Sequence, residues 1–316
     1  MPSNLLLKFA RRLWADSAQQ SAFIQALVQP QPLSPCILWN RPRPESLPFA
    51  IAPPLPWQPE FVDRLAVSTR PGQHEWHQQG YYYCLDFSSV FAASPLLTLP
   101  AQPALVVDLC AAPGGKSLFA AQALQPQFLL SNEVIGKRLG MLISNLRRCQ
   151  ADPAAVVSLD SQILAEQLPE QATVAIVDAP CTGQSLLAKG EKAPGCFHPV
   201  TINQNANRQK RILANAAQLV APQGYLAYMT CAFSPEENEQ VSSWFLARFP
   251  QFQPLAVPHL QAYQSHLSDL PCYRLWPQSG LGAGGFTILL QNTNQAAPPL
   301  IEPLDLPYKW TSQPMT

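Results

Sequence analysis

The sequence predicts an α/β fold built on a mostly parallel sheet, preceded by a small α+β N-terminal region. Three observations predict it. First, the short apolar run at residues 104–107 leads through Asp108 into a Gly114-Gly115 turn and then a helical stretch at 118–124, which reads as strand, tight turn and helix. Second, similar runs at 128–133, 156–160 and 174–178 each close on an acid, so Glu133, Asp160 and Asp178 repeat what Asp108 does in the first. Third, helical stretches, the clearest the amphipathic one at 134–149, separate these runs, as parallel strands joined by crossovers require.

Taken in order, residues 4–28 read as one helix, because Leu6, Phe9, Leu13, Phe23, Ile24 and Leu27 recur at helical spacing. Lys8, Arg11 and Arg12 fall on its other side, and Pro30 and Pro32 end it. From residue 36 to 59, short apolar pieces alternate with prolines and read as edge strands or extended coil. Arg41, Arg43 and Arg70 join the helix cations as a candidate RNA-facing surface, the other reading being scattered surface charge. His74 and His77 are three apart, but no third ligand follows and the spacing is not H-E-x-x-H, so no metal site is expected. Tyr81, Tyr82 and Tyr83 read as packing at the domain junction.

Beyond the glycine turn, the helix at 134–149 carries Ile135, Leu139, Leu142, Ile143 and Leu146 on one face and Lys137, Arg138, Arg147 and Arg148 on its exposed parts. A helix at 204–221 holds Gln209 and Arg211 near its polar face, and Gly224 turns it into a fifth strand at 225–230 with Cys231 at its end. Ser234-Pro235-Glu236-Glu237 reads as an N-cap serine, a proline at the first helical position and acids in the first turn. A late strand follows at 285–290, and the tail from Asn292 is proline-rich and expected to drape over the core.

Composition bounds the function. The 316 residues carry zero net charge, which excludes a protein that coats nucleic acid by bulk charge but leaves a local basic patch open. Hydrophobic residues make up 47%, enough for a substantial core. No segment reaches eighteen apolar residues and no secretory leader is evident, so the expectation is a cytoplasmic protein. Its eight cysteines contain no C-x-x-C pair and are expected as free thiols.

The turn Asp108-Leu109-Cys110-Ala111-Ala112-Pro113-Gly114-Gly115-Lys116-Ser117 is the chemical centre of the chain. It is neither G-x-G-x-x-G nor a complete G-x-x-x-x-G-K loop. A strand ending in an acid and followed by this turn suits a cationic sulfonium cofactor such as S-adenosylmethionine better than a polyphosphate; the alternative is an ordinary α/β turn. Glu133 lies 18 residues past Gly115, where such folds bind ribose hydroxyls.

Together with Asp178-Ala179-Pro180-Cys181 and with Thr230-Cys231 followed by Pro235-Glu236-Glu237-Asn238-Glu239, this turn resembles the signature of the Sun/Nop (RsmB-like) family of RNA (cytosine-5) methyltransferases. The resemblance runs from about Gly80 to Leu290 and includes Arg274-Leu275-Trp276-Pro277 and Gly285-Phe286. It implies a Rossmann-like methyltransferase domain over 80–292, an RNA-contacting region over 1–79 and a proline-rich tail over 293–316. It implies that Cys231 is the nucleophile, that Cys181 assists breakdown of the covalent adduct, that Asp178 holds the pyrimidine edge and that Lys116 lies near the reacting base. It implies an S-adenosyl-L-methionine site made of Cys110, Ala111, Ala112, Pro113, Gly114, Gly115, Lys116, Glu133, Arg138, Asp160 and Asp178. The expected partner is ribosomal or transfer RNA, with no membrane, no metal and a monomeric chain. The sequence departs from the family pattern at Thr182, where serine is usual, at Gly183-Gln184-Ser185 in place of Gly-Thr-Gly, at Ala232, where serine is common, and through the 189–199 loop. A rival reading is a non-catalytic RNA-binding or ribosome-assembly factor that retains the fold. A protein or small-molecule methyltransferase would explain the turn but neither thiol.

Overall fold

The apolar runs become strands because their side chains alternate between two layers that both exclude water. In the computed structural model, which describes residues 2–296 and 304–313, Val106, Leu129, Val174 and Ile176 point into one layer. Their chain neighbours Leu105, Val107, Leu130, Ala175 and Val177 point into the other.

Before the large sheet come helices α1 (Asn4–Leu13) and α2 (Ser17–Val28), strands β1 (Cys36–Trp39) and β2 (Val62–Arg64), helix α3 (Glu75–Gln78), strand β3 (Tyr82–Leu85) and helix α4 (Phe87–Ala93). The single helix expected over 4–28 is therefore two. Trp14 turns extended, and the Asp16 side chain accepts a hydrogen bond from the Ala18 N–H to start the second helix, an N-cap that helical spacing alone does not reveal. The segment at 36–39, expected at an edge or in coil, is the central strand of an antiparallel sheet ordered β2-β1-β3.

The main domain continues with β4 (Leu105–Asp108), α5 (Gly115–Leu124), β5 (Phe128–Asn132), α6 (Gly136–Arg148), β6 (Ala154–Val157), α7 (Ser161–Gln167), β7 (Ala172–Asp178), α8 (Pro199–Leu219) and β8 (Val220–Thr230). It closes with α9 (Glu239–Arg248), β9 (Phe252–Leu255), β10 (Cys272–Leu275), β11 (Gly285–Asn292) and β12 (Trp310–Thr311). The order across the sheet is β10-β11-β8-β7-β4-β5-β6-β12, with β9 also on β11. Strands β6, β5, β4, β7 and β8 are parallel, and antiparallel strands flank them on both sides. Strand order reverses between β4 and β7, so their carboxyl ends open a crevice of the kind that binds ligands.

Several boundaries differ from expectation. Asp160 does not end a strand: β6 stops at Val157, and Asp160 caps α7 by accepting from the Gln162 N–H at 2.9 Å. Ser234 does not cap a regular helix: residues 235–237 form a 3-10 turn, and α9 starts only at Glu239. The described part of the tail pairs with β6 and extends the sheet; residues 297–303 and 314–316 lie outside the described residues. Among the described residues, no helix is long and apolar enough to cross a membrane, and no cluster of histidine, cysteine, aspartate and glutamate is arranged to hold a metal.

Candidate active site

A cleft of about 450 Å³ opens at the carboxyl ends of β4 and β7. Cys110, Ala112, Pro113, Lys116, Glu133, Arg138, Asp160, Asp178, Cys181 and Cys231 all line it. Ala111, Gly114 and Gly115 do not line it. The glycines serve the protein rather than a close ligand approach: Gly114 has φ +114°, and a Cβ on Gly115 would stand 3.2 Å from the Tyr83 ring. Asp108 is likewise turned inward. It is fully buried, accepts from the Ser117 hydroxyl at 2.7 Å, and burial pushes its pKa up to about 7. It therefore shapes the β4–α5 turn instead of joining the acids at the cleft.

One end of the cleft is acidic and braced. Glu133 Oε1 accepts from the Ile135 N–H at 2.8 Å, while Oε2 is buried, 3.2 Å from an Arg138 nitrogen, and takes no hydrogen bond. Arg138 also donates to the Ala112 carbonyl, which ties α6 to the glycine turn. Asn132, not singled out from sequence, donates to the Leu109 and Leu159 carbonyls and so joins the loops after β4 and β6. A buried carboxylate oxygen that is ion-paired to Arg138 but takes no hydrogen bond, and that lines a cleft, suits a ligand hydroxyl.

The other end holds the thiols. Cys181 follows β7 and Cys231 follows β8; these strands are parallel neighbours with Asp178 opposite Met229, so the two loops emerge side by side. The sulfurs lie 3.1 Å apart. That contact is the main reason the Cys231 pKa lies below the ordinary thiol value and the Cys181 pKa well above it. The contact therefore favours ionisation at Cys231 over Cys181. The Lys116 ammonium sits 2.9 Å from Asp178 Oδ2. Burial opposes the Lys116 charge, but Asp178 and Asp108 outweigh it and hold its pKa above the ordinary value.

Behind the thiols lies a buried polar network. Glu237, fully buried, accepts from the Thr182 N–H at 2.9 Å, the Thr182 hydroxyl at 2.7 Å, the Ser234 hydroxyl at 2.5 Å and Gln209 Nε2 at 3.0 Å. Burial nevertheless raises its pKa. Gln209, expected on a polar face, is fully buried and also donates to the Pro180 carbonyl. Arg274 pairs with Glu239 in the core and donates to the Phe233 carbonyl at 3.0 Å, fixing the Cys231 loop from behind.

Several of the basic residues are engaged by the protein itself. Arg43 is paired with Asp63, and Arg148 donates to the His77 and Tyr82 carbonyls, stitching α6 to β3. Helix α1 instead packs near the Cys231 loop through the cluster that contains Phe233, and Arg12 pairs there with Glu236. His74 caps α3, and Tyr82 and Tyr83 are buried, as packing residues should be. Arg208 and Arg211 of α8 line the cleft with exposed side chains.

The model of the family described as 16S rRNA methyltransferase RsmB/F matches residues 96–291. Ribosomal RNA small subunit methyltransferase F of Cronobacter sakazakii is 31% identical over 272 residues, covering 83% of this chain and 55% of that protein. The protein of the same name from Serratia proteamaculans is 28% identical over 256 residues, covering 79% and 53%. The chain spans about half the length of the curated relatives it matches. A methyltransferase homolog protein from Pyrococcus horikoshii aligns with a TM-score of 0.71 at 23% identity, over 92% of this chain and 100% of that one. NSun6 from the same organism, solved with SFG, aligns with a TM-score of 0.74 at 17% identity, over 93% and 99%. At these identities the two structures speak to the fold.

Proposed function

The chain belongs to the 16S rRNA methyltransferase RsmB/F family, and on that premise we propose that it methylates carbon 5 of a cytosine in ribosomal or transfer RNA through a covalent cysteine adduct. The supporting observation is the thiol pair, with 3.1 Å between Cys181 and Cys231 at one end of a cleft whose other end presents Glu133 and Asp160. A scaffold that only binds RNA has no use for two free thiols set against each other in the cleft.

Carbon 5 of cytosine is too weak a nucleophile to take a methyl group unaided. Cys231 as thiolate adds to carbon 6, and the ring electrons collect at carbon 5. S-adenosylmethionine, when bound, supplies the methyl group on a cationic sulfur that leaves with the bonding electrons. The carbon 5 proton is then lost, its electron pair restores the ring double bond, and the sulfur–carbon 6 bond breaks back to the Cys231 thiolate. Cys181 serves this breakdown. Asp178 holds the N3/N4 edge of the base, and Lys116 keeps Asp178 in place.

At the cofactor end, the Glu133 oxygen that takes no hydrogen bond from the protein receives the ribose hydroxyls, Arg138 braces that carboxylate against the glycine turn, and Asp160 adds a second acid. Residues 1–79 contact the RNA through α1, where Lys8 and Arg11 are exposed near the Cys231 loop. Arg208 and Arg211 meet phosphates at the cleft itself.

The test is transfer of labelled methyl from S-adenosylmethionine to unmodified small-subunit ribosomal RNA and to transfer RNA, followed by bisulfite sequencing. The reading expects label in 5-methylcytosine at a discrete position. Label on another base, or none on any RNA bound by the protein, would contradict it.

A further inference from the structure

Strand β8 gives out one residue before Cys231. Thr230, opposite Phe286 of β11, is its last paired residue. Sheet pairing therefore does not set the direction of the Cys231 side chain. That direction depends on what holds the backbone on either side of it, where buried N–H and C=O groups need partners.

Asn238 meets this need. It is fully buried and lies between the 3-10 turn at 235–237 and α9. Its Nδ2 donates to the Ala232 carbonyl at 2.9 Å, and its Oδ1 accepts from the Thr230 hydroxyl at 2.6 Å. The same hydroxyl accepts from the Ala232 N–H at 3.2 Å. The carboxamide fits only one way round. A carbonyl can only accept, and the hydroxyl that takes the Ala232 N–H points its own proton at Oδ1. Thr230, Ala232 and Asn238 thus close a ring of three hydrogen bonds that straddles Cys231. Asn238 is anchored in turn: its carbonyl accepts from the Ser242 hydroxyl at 2.9 Å, and the neighbouring Glu237 carbonyl accepts from the Tyr228 hydroxyl at 2.5 Å. Other contacts hold the loop from outside. The Ser185 N–H donates to the Cys231 carbonyl at 3.1 Å, and the Gln184 side-chain oxygen accepts from the Phe233 and Ser234 N–H groups. Among the described residues, Asn238 is the side chain that ties the residue before the nucleophile to the residue after it.

We propose that Asn238 is a positioning residue for Cys231: through Thr230 and Ala232 it fixes the backbone from which the sulfur projects, and so keeps that sulfur in the cleft and 3.1 Å from Cys181. The inference rests on the reading of Cys231 as the nucleophile. A ring of buried hydrogen bonds suits this duty, because shifting any member strands a donor or acceptor away from water and the loop is left with one arrangement. Precise placement matters at a reacting atom, where a displacement of about 1 Å can cost on the order of 10²-fold in rate.

The experiment equilibrates the full chain with mixtures of reduced and oxidised glutathione and measures by mass the fraction that carries a Cys181–Cys231 disulfide. In this exchange the two protein thiols are oxidised to one disulfide, and one oxidised glutathione takes up their protons and electrons to become two glutathione thiols. The equilibrium constant reports how firmly the two sulfurs are held together. Asn238→Ala and Thr230→Val should each lower it roughly tenfold or more. Thr230→Ser, which keeps the hydroxyl and both of its hydrogen bonds, should stay within about threefold of the parent. Thr230→Val keeps the side-chain shape, so it carries the test if Asn238→Ala does not fold. A Thr230→Val or Asn238→Ala protein that melts at a lower temperature with an unchanged constant would overturn the assignment, since a purely structural role affects stability alone. An equal loss in Thr230→Ser would also overturn it, as would a parent that forms no such disulfide, because the sulfurs would then not be held in reach. The assay needs neither RNA nor cofactor, so its failure is separable from failure of the methylation reading, which labelled methyl transfer decides.

Discussion

The Lys116 ammonium lies 2.9 Å from Asp178 Oδ2, which latches the first turn of α5 to the end of β7 across the point where strand order reverses. Both residues line the cleft, and both sit within electrostatic reach of Cys231. Removing the cation by Lys116→Met leaves the Asp178 charge opposing the thiolate without compensation. Single-turnover methyl transfer should fall by about 10²–10³-fold, the usual loss on removing one preorganised electrostatic group. Transfer within about threefold of the parent would remove Lys116 from the machinery.

Glu133 presents a buried oxygen without a hydrogen bond. Glu133→Ala should weaken S-adenosylmethionine binding by about 1–3 kcal/mol, the range for hydrogen bonds to a charged group. Calorimetry on the folded variant checks this, and unchanged affinity would place the ribose elsewhere.

Glu237 gathers four hydrogen bonds, one from nearby Ser234 and three from Thr182 and Gln209, which are distant in sequence. Glu237→Ala strands buried donors on Thr182, Ser234 and Gln209, so urea denaturation should show a loss of about 2–4 kcal/mol. Glu237→Gln, which keeps one acceptor oxygen, should lose less. A loss below about 1 kcal/mol in the alanine variant would mean that water satisfies the donors.

Much of the site was legible because it follows from strand ends. A parallel sheet buries continuous apolar runs, and residues at their carboxyl ends necessarily meet at one edge, so Glu133, Asp178, Cys181 and Cys231 converge from sequence position alone. What escaped was polarity directed inward. Gln209, Glu237 and Gln184 are polar residues whose partners come from other segments, and nothing in their own neighbourhood marks them as buried. Asp108 fits the same description: it ends a strand as Asp178 does, yet Ser117, nine residues on, captures it. The break between α1 and α2 was hidden because the apolar spacing continues through it, while the Asp16 cap that makes it is a single side-chain hydrogen bond. Arg43 and Arg148 read as surface cations because ion pairs and carbonyl contacts of this kind leave no sequence trace.

Arg208 and Arg211 stand three residues apart on α8 and both reach the cleft. If they meet phosphates, Arg208→Ala with Arg211→Ala should weaken RNA binding at low salt and flatten the log–log salt dependence by about 1.4, at roughly 0.7 per phosphate of a single strand. Cofactor affinity should not change. An unaltered slope would exclude the pair from the RNA path.

The two thiols have different duties, and their separation in one experiment decides whether the chemistry runs through Cys231. The measurement is denaturing electrophoresis of the protein with substrate RNA and S-adenosylmethionine, for the parent, Cys181→Ala, Cys231→Ala and the double variant. With Cys231 as nucleophile and Cys181 needed only for release, a protein–RNA band should persist in Cys181→Ala, be absent in Cys231→Ala and vanish again when both are replaced. A band that survives replacement of Cys231, or methylation by the Cys231→Ala protein, would contradict the assignment.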